Sequence, residues 1–268
     1  MKFYHLIFLV VIVIVTSCKS EFEALRTSNQ PEKVYAAANK YYDQKEYDRA
    51  IALYDIIIQY YRGKQEADDL FFKYAYAHYF QGDYILASTY FKNFSSSFSN
   101  SVNKEEAEYM ASFSNYKMSP NYKLDQSYTE QAIQGFEQFI NHYPNTERAN
   151  VANSLIDEMR RKLELKSFEQ GNLYYKIGEY QAAMTSFQNT VKDFPESKKL
   201  EEVRFLILRS SYILAVNSIY EKKEERFNET IQHYHAFVKK HPKSKMSKDA
   251  RSIEKETLAE LKKLKYDN

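Results

Sequence analysis

Apolar residues recur along the chain at helical spacing, in pairs of segments separated by short polar breaks. Ala50 precedes Tyr54 by four positions, Ala87 precedes Phe91, and Ala183 precedes Phe187. Residues four apart share one helical face, so each copy presents a small residue and a large ring side by side. Small residues at that spacing let two helices approach closely while the ring fills the gap beside them. Just upstream of each break stands a Tyr pair or near-pair, Tyr41-Tyr42, His78-Tyr79 and Tyr174-Tyr175. The pattern predicts helix, short turn, helix.

Two weaker copies follow the same rule, Ala132-Ile133 with Phe136 and Thr230-Ile231 with Tyr234. The five anchors, at 50, 87, 132, 183 and 230, are 37, 45, 51 and 47 residues apart. A pure tetratricopeptide array repeats every 34 residues or so, so each gap carries an insertion. Tyr143-Pro144-Asn145-Thr146, Phe194-Pro195-Glu196-Ser197 and His241-Pro242-Lys243-Ser244 each place a proline where a helix stops and a hydroxyl two positions later, ready to cap the next. Ser99-Asn100-Ser101 keeps the cap without the proline, and Arg62-Gly63 keeps neither.

The expected fold is therefore all-α: a tetratricopeptide-repeat solenoid of about five helical hairpins plus a C-terminal capping helix. The hairpins are expected at 31–61, 66–97, 102–142, 147–193 and 198–240, and the closing helix near 245–265. Each hairpin buries its apolar face only against its neighbours. Ser119-Pro120 to Thr129 reads as an insertion inside the third pair, and Tyr220 to Arg226 as a charged connector inside the fifth. No helix breaker interrupts Glu147 to Tyr175, so one long helix is expected there, setting the angle between two arms.

Composition supports this picture. Gly and Pro number 5 each in 268 residues, too few for a turn-dense β architecture. The formal net charge of +2 argues against a general nucleic-acid binder, which needs a strong excess of cations facing phosphates. The first residues differ from all that follow: Lys2 is the only positive charge, Leu6 to Val15 is an unbroken apolar run, and Thr16, Ser17 and Cys18 close it. Ten apolar residues fit a secretory signal better than a span of about twenty. Cys18 is the only cysteine, which excludes an internal disulfide framework. Val15-Thr16-Ser17-Cys18 resembles the bacterial lipobox, in which the cysteine is acylated and becomes the new amino terminus. The expected organisation is a lipoprotein signal peptide over 1–17, a lipidated tether over 18–30, a first arm over 31–146 and a second over 147–268.

A lipobox followed by five divergent repeats resembles the BamD family, lipoproteins of the machinery that inserts β-barrels into bacterial outer membranes. The more specific part is the middle: Lys104-Glu105-Glu106-Ala107-Glu108-Tyr109-Met110, the insertion, then Ala132 to Ile140 ending in Tyr143-Pro144-Asn145-Thr146. Ala38 and Ser112 depart from the glycine usual at their positions. The resemblance implies a non-enzymatic scaffold anchored to the outer membrane, on its periplasmic side, by acyl chains on Cys18. It implies two partners, unfolded outer membrane proteins and the periplasmic domains of a BamA-like barrel-forming subunit. The alternative is a tetratricopeptide lipoprotein that scaffolds cell-wall or polysaccharide machinery.

In such an array the first helix of each pair lines the concave face. The register selects Tyr35, Asn39, Tyr42 and Asp43 in the first pair, Phe72, Tyr76, Tyr79 and Phe80 in the second, and Tyr109, Phe113 and Tyr116 in the third. Tyrosines offer large contact area at small entropic cost and a hydroxyl for the backbone of an extended guest. The resemblance implies that this guest is the terminal strand of an unfolded barrel. It also implies that the second arm grips the barrel-forming subunit, with Arg204 and Arg209 as contact candidates. Lys239 to Asn268 holds ten cations against five acids, suited to an acidic partner or anionic lipid. His233 and His235, two apart, cannot share a metal as an i, i+4 pair could. There is no phosphate-cradling glycine loop or glycine-elbow serine, so no cofactor, metal or catalytic residue is expected. Glu105-Glu106 reads as a solvated pair.

Overall fold

The computed structural model describes residues 21–266, with Tyr266 described by its backbone alone. A helical stretch at 21–26 is followed by α1 (Pro31–Asp43), α2 (Tyr47–Ile57), α3 (Ala67–Gln81), α4 (Tyr84–Ser97), α5 (Lys104–Met118), α6 (Ser127–His142), α7 (Glu147–Lys176), α8 (Tyr180–Asp193), α9 (Leu200–Val216), α10 (Tyr220–Lys240) and α11 (Ser247–Tyr266). No strand occurs among the described residues. The fold is an all-α tetratricopeptide-repeat array, closed by α11. Cys18 and the Leu6 to Val15 run lie outside the described residues.

The repeat anchors form the core. Ala50, Ala87, Ala132, Ala183 and Thr230 are all fully buried, and so are the rings of Tyr54, Phe91, Phe136 and Phe187 four positions later. Opposite them, on the first helix of each pair, stand Ala38, Ala75, Ser112, Gly171 and Ser211, also buried. Burying a Phe ring contributes about 2–3 kcal/mol, so these anchors supply much of each hairpin's stability.

The turns repeat as well. Gly82 (φ 86°) and Gly178 (φ 85°) are left-handed, and each closes its helix with the same bonds: Asp83 N–H donates to the His78 carbonyl, and Glu179 N–H to that of Tyr174. Lys45 (φ 62°) occupies the equivalent turn, where Glu46 N–H donates to the Tyr41 carbonyl. Between repeats, the hydroxyls of Ser101, Ser197 and Ser244 each accept from the backbone N–H two positions on, at 3.0 Å. Ser197 also donates to Glu164 (2.5 Å) and Ser244 to Glu201 (2.7 Å), fastening each connector to an upstream helix.

The described residues fall into two compact units. One runs to Pro120 and includes Asp125–Asp157; the other comprises Asn121–Leu124 and the chain from Glu158 onward. In the second unit the insertion is held by Lys166, whose ammonium donates to the carbonyls of Tyr122 (3.2 Å) and Leu124 (2.8 Å). One expectation is corrected: Tyr220 to Arg226 is not a connector but the first two turns of α10. Its Glu, Lys and Arg residues are good helix formers, and the apolar stripe simply begins later, at Phe227.

Candidate functional site

In the first unit the 3.6-residue period turns one face of α1, α3 and α5 towards a common side. Side-chain contacts between successive first helices define that side. Tyr35 on α1 donates to Asp69 on α3 (2.6 Å), Lys73 on α3 donates to Asn39 on α1 (3.3 Å), and Tyr76 on α3 donates to Glu106 on α5.

Aromatic rings run continuously across this face. Tyr42 meets Tyr47 edge-on at 5.7 Å, Tyr47 stacks on Phe80 at 5.0 Å, and Phe80 stacks on Tyr76 at 5.4 Å. Tyr76 meets Tyr79 at 6.4 Å, Tyr79 reaches Phe113 at 6.3 Å, and Phe113 stacks between Tyr109 (5.7 Å) and Tyr116 (5.6 Å). None of these rings is fully buried, and Phe80 is 50% exposed. A continuous run of rings that keeps part of its surface exposed has the character of a binding surface.

The remaining candidates have structural duties. Phe72 packs against Phe91 (6.1 Å) and Phe94 (5.2 Å), on the edge of the second hairpin's core. Asn39 accepts from the buried Tyr54 hydroxyl at 2.8 Å as well as from Lys73, so its amide oxygen braces α1 against α2 and α3. Tyr35 lies 5.0 Å from the Tyr61 ring at the edge of the face. Asp43 is exposed at the end of α1.

Charges border the rings. Lys73 pairs with Asp69 at 2.9 Å, and Arg148, at the start of α7, reaches Glu106 (3.0 Å) and Glu105 (3.9 Å) with its guanidinium 5.8 Å from the Tyr109 ring centre. Glu105 and Glu106 are thus not simply solvated, as expected, but paired with a cation more than forty residues away. Burial and the Asp69 acceptor push the Tyr35 hydroxyl up to about 12, and burial likewise raises Tyr42, Tyr76, Tyr79 and Tyr109. These phenols keep their protons, and those of Tyr35 and Tyr76 donate to Asp69 and Glu106. The sequence signal for the polar set was present in part, because Asp69 and Lys73 stand four apart, one turn from Phe72 and Tyr76. Arg148 carried none.

In the second unit Arg204 and Arg209 are five residues apart on α9, about 140° around the helix. Arg204 lines a cleft of about 170 Å3 with Gln188, Val191, His233 and Phe237, and its guanidinium sits 3.2 Å from His241. Arg209 lies 5.9 Å from the Tyr175 ring centre. The two do not form one contact patch. His233 faces the Arg204 cleft, whereas His235 is exposed. No described helix is long and apolar enough to cross a membrane.

Comparison with known proteins places the sequence in a family. The family model YfiO, described as an outer membrane lipoprotein, matches residues 27–224. The outer membrane protein assembly factor BamD of Caulobacter vibrioides is 26% identical over 142 residues, covering 53% of this chain and 47% of the relative. The match thus spans about half the relative's length. Among solved structures, the TPR2AB domain of yeast Sti1, from its complex with pHSP90, aligns over 85% of this chain and 98% of its own at 11% identity and a TM-score of 0.38. The family match runs from just before the first hairpin into α10, and the chain belongs to the YfiO family of outer membrane lipoproteins.

Proposed function

We propose that this protein is a lipid-anchored scaffold of β-barrel assembly. Its first unit holds segments of unfolded outer membrane proteins, and its second engages the periplasmic domains of a BamA-like barrel-forming subunit. Acyl chains on Cys18 tether it to the outer membrane from the periplasmic side. The observation that carries the reading is the run of partly exposed rings from Tyr42 to Tyr116, bordered by the Asp69–Lys73 and Glu106–Arg148 pairs. An extended barrel strand alternates apolar and polar side chains, so rings and charges side by side match its two faces. The face is built from helices and has no strand edge to extend, so recognition works through side chains. Family membership and the named assembly factor among its relatives point the same way.

The test is affinity purification of the mature protein from native membranes, with a Cys18→Ser form in parallel, and identification of what comes with it. The reading expects a large barrel protein bearing repeated periplasmic domains, recovered less well without the anchor. Recovery of wall-synthesis or polysaccharide proteins alone would overturn it.

A further inference from the structure

The cationic surplus of the carboxy-terminal region is concentrated in one place. Between residues 239 and 251, across the turn from α10 to α11, stand Lys239, Lys240, Lys243, Lys245, Lys248 and Arg251 against Asp249 alone. That is a surplus of five in a chain whose formal net charge is +2, so everything else is net negative. Beyond Arg251 the chain is balanced, four cations against four acids. All six side chains are exposed, and none is paired with a carboxylate among the described residues. Arg26, Arg49, Lys73, Lys104 and Lys263, by contrast, each face an acid three or four positions away.

Lys239 and Lys240, in the last turn of α10, suit the helix dipole, but Lys248 runs against it. Lys248 stands in the first turn of α11, where the helix dipole disfavours a cation and the free N–H groups add positive potential of their own. The nearby Glu201 carboxylate is occupied by the Ser244 hydroxyl, Glu254 stands a turn further along α11, and Arg204 adds a further cation beside His241. Among the described residues, none of the six cations stands over an aromatic ring in a cation–π contact. A specific protein interface would need a desolvated apolar centre, whereas a charged bilayer asks only for charge density within about 8–10 Å of its surface.

We infer that the α10–α11 turn is a second membrane contact, an electrostatic foot that binds the anionic headgroups of a phospholipid surface. It rests on the family's membrane location and not on the barrel-assembly reading. Anchoring by acyl chains gains from such a foot because charge and lipid act together.

The full mature chain carrying Cys18→Ser, which no acyl chain can tether, is mixed with vesicles of phosphatidylcholine, with or without phosphatidylglycerol, and sedimented. It should bind the phosphatidylglycerol vesicles alone and leave them as salt rises. The set K240Q, K243Q, K245Q and K248Q should weaken binding at least about tenfold. The control set K33Q, K40Q, K92Q and K222Q, equal in charge and matched by circular dichroism, should bind as the parent does. Equal loss in both sets would reduce the effect to net charge and overturn the proposal. So would equal binding to both vesicles, or binding to polyglutamate with none to phosphatidylglycerol.

Discussion

A Cβ placed on Gly171 would stand 2.5 Å from two carbons of the Phe187 ring. No real contact of that kind is tolerated, so α7 and α8 approach as closely as they do because residue 171 has no side chain. The ring that fills the fourth hairpin and the glycine that admits it belong to one device.

Replacing Gly171 by Ala should therefore destabilise the protein by about 1–3 kcal/mol, the usual cost of overpacking a core. Urea denaturation reads the loss. Combining it with Phe187→Leu should cost less than the two changes added, because the smaller side chain relieves the clash. Simple additivity would show that the two positions do not meet.

The first turn offers the opposite opportunity. Lys45 takes the left-handed conformation that Gly82 and Gly178 take in the equivalent turns, and a side chain there is strained. Lys45→Gly should raise stability by about 0.5–1 kcal/mol, read as a higher urea midpoint at unchanged slope.

Stability should fall in mild acid. His78 is 5% exposed, its two ring nitrogens have no hydrogen-bond partner among the described residues, and it packs against the Tyr74 and Tyr90 rings. Burial lowers its pKa, and Asp83, whose carboxylate is 3.5 Å away, and Asp55 oppose that only in part. A lowered folded pKa means the unfolded chain takes up the proton first. The stabilisation is thus complete above the ordinary value of about 6.5 and is lost as pH drops below it. His78→Phe should flatten the dependence between neutral and mildly acidic buffer. It should not abolish it, because burial lowers His233 and His241 in the same direction.

Much of the fold was legible because tetratricopeptide anchors are local: Ala50 and Tyr54, or Ala183 and Phe187, sit on one turn and declare the helix face they share. The charged start of α10 was misread because helix propensity without an apolar stripe looks like a connector. The rings of the candidate face followed from register, but register cannot separate Phe72, which packs against the core, from Phe80, which stays exposed. The Arg148 pairs with Glu105 and Glu106 were out of reach, since nothing local links residues on α5 and α7. The separation of Arg204 from Arg209 was legible from their spacing alone.

Tyr76 shows why the choice of variant matters. Its ring packs 4.9 Å from the buried Phe91 ring and its hydroxyl holds Glu106, so Tyr76→Ala should lower stability as well as binding. Tyr76→Phe keeps the ring and should cost no more than about 1–2 kcal/mol, visible in the same urea titration.

The central claim is that the ring-lined face of the first unit holds unfolded barrel segments. The most direct measurement is the affinity of the mature chain for a labelled peptide corresponding to the terminal strand of an outer membrane barrel. It is compared with Phe80→Ala, a truncation of a half-exposed ring that loses its stacks on Tyr47 and Tyr76 but should leave the chain folded at the assay temperature, checked by circular dichroism. The account predicts binding by the parent, about tenfold or more weakened in the variant, as expected for the loss of an aromatic anchor. Equal affinity in both, or no binding by the parent, would contradict it.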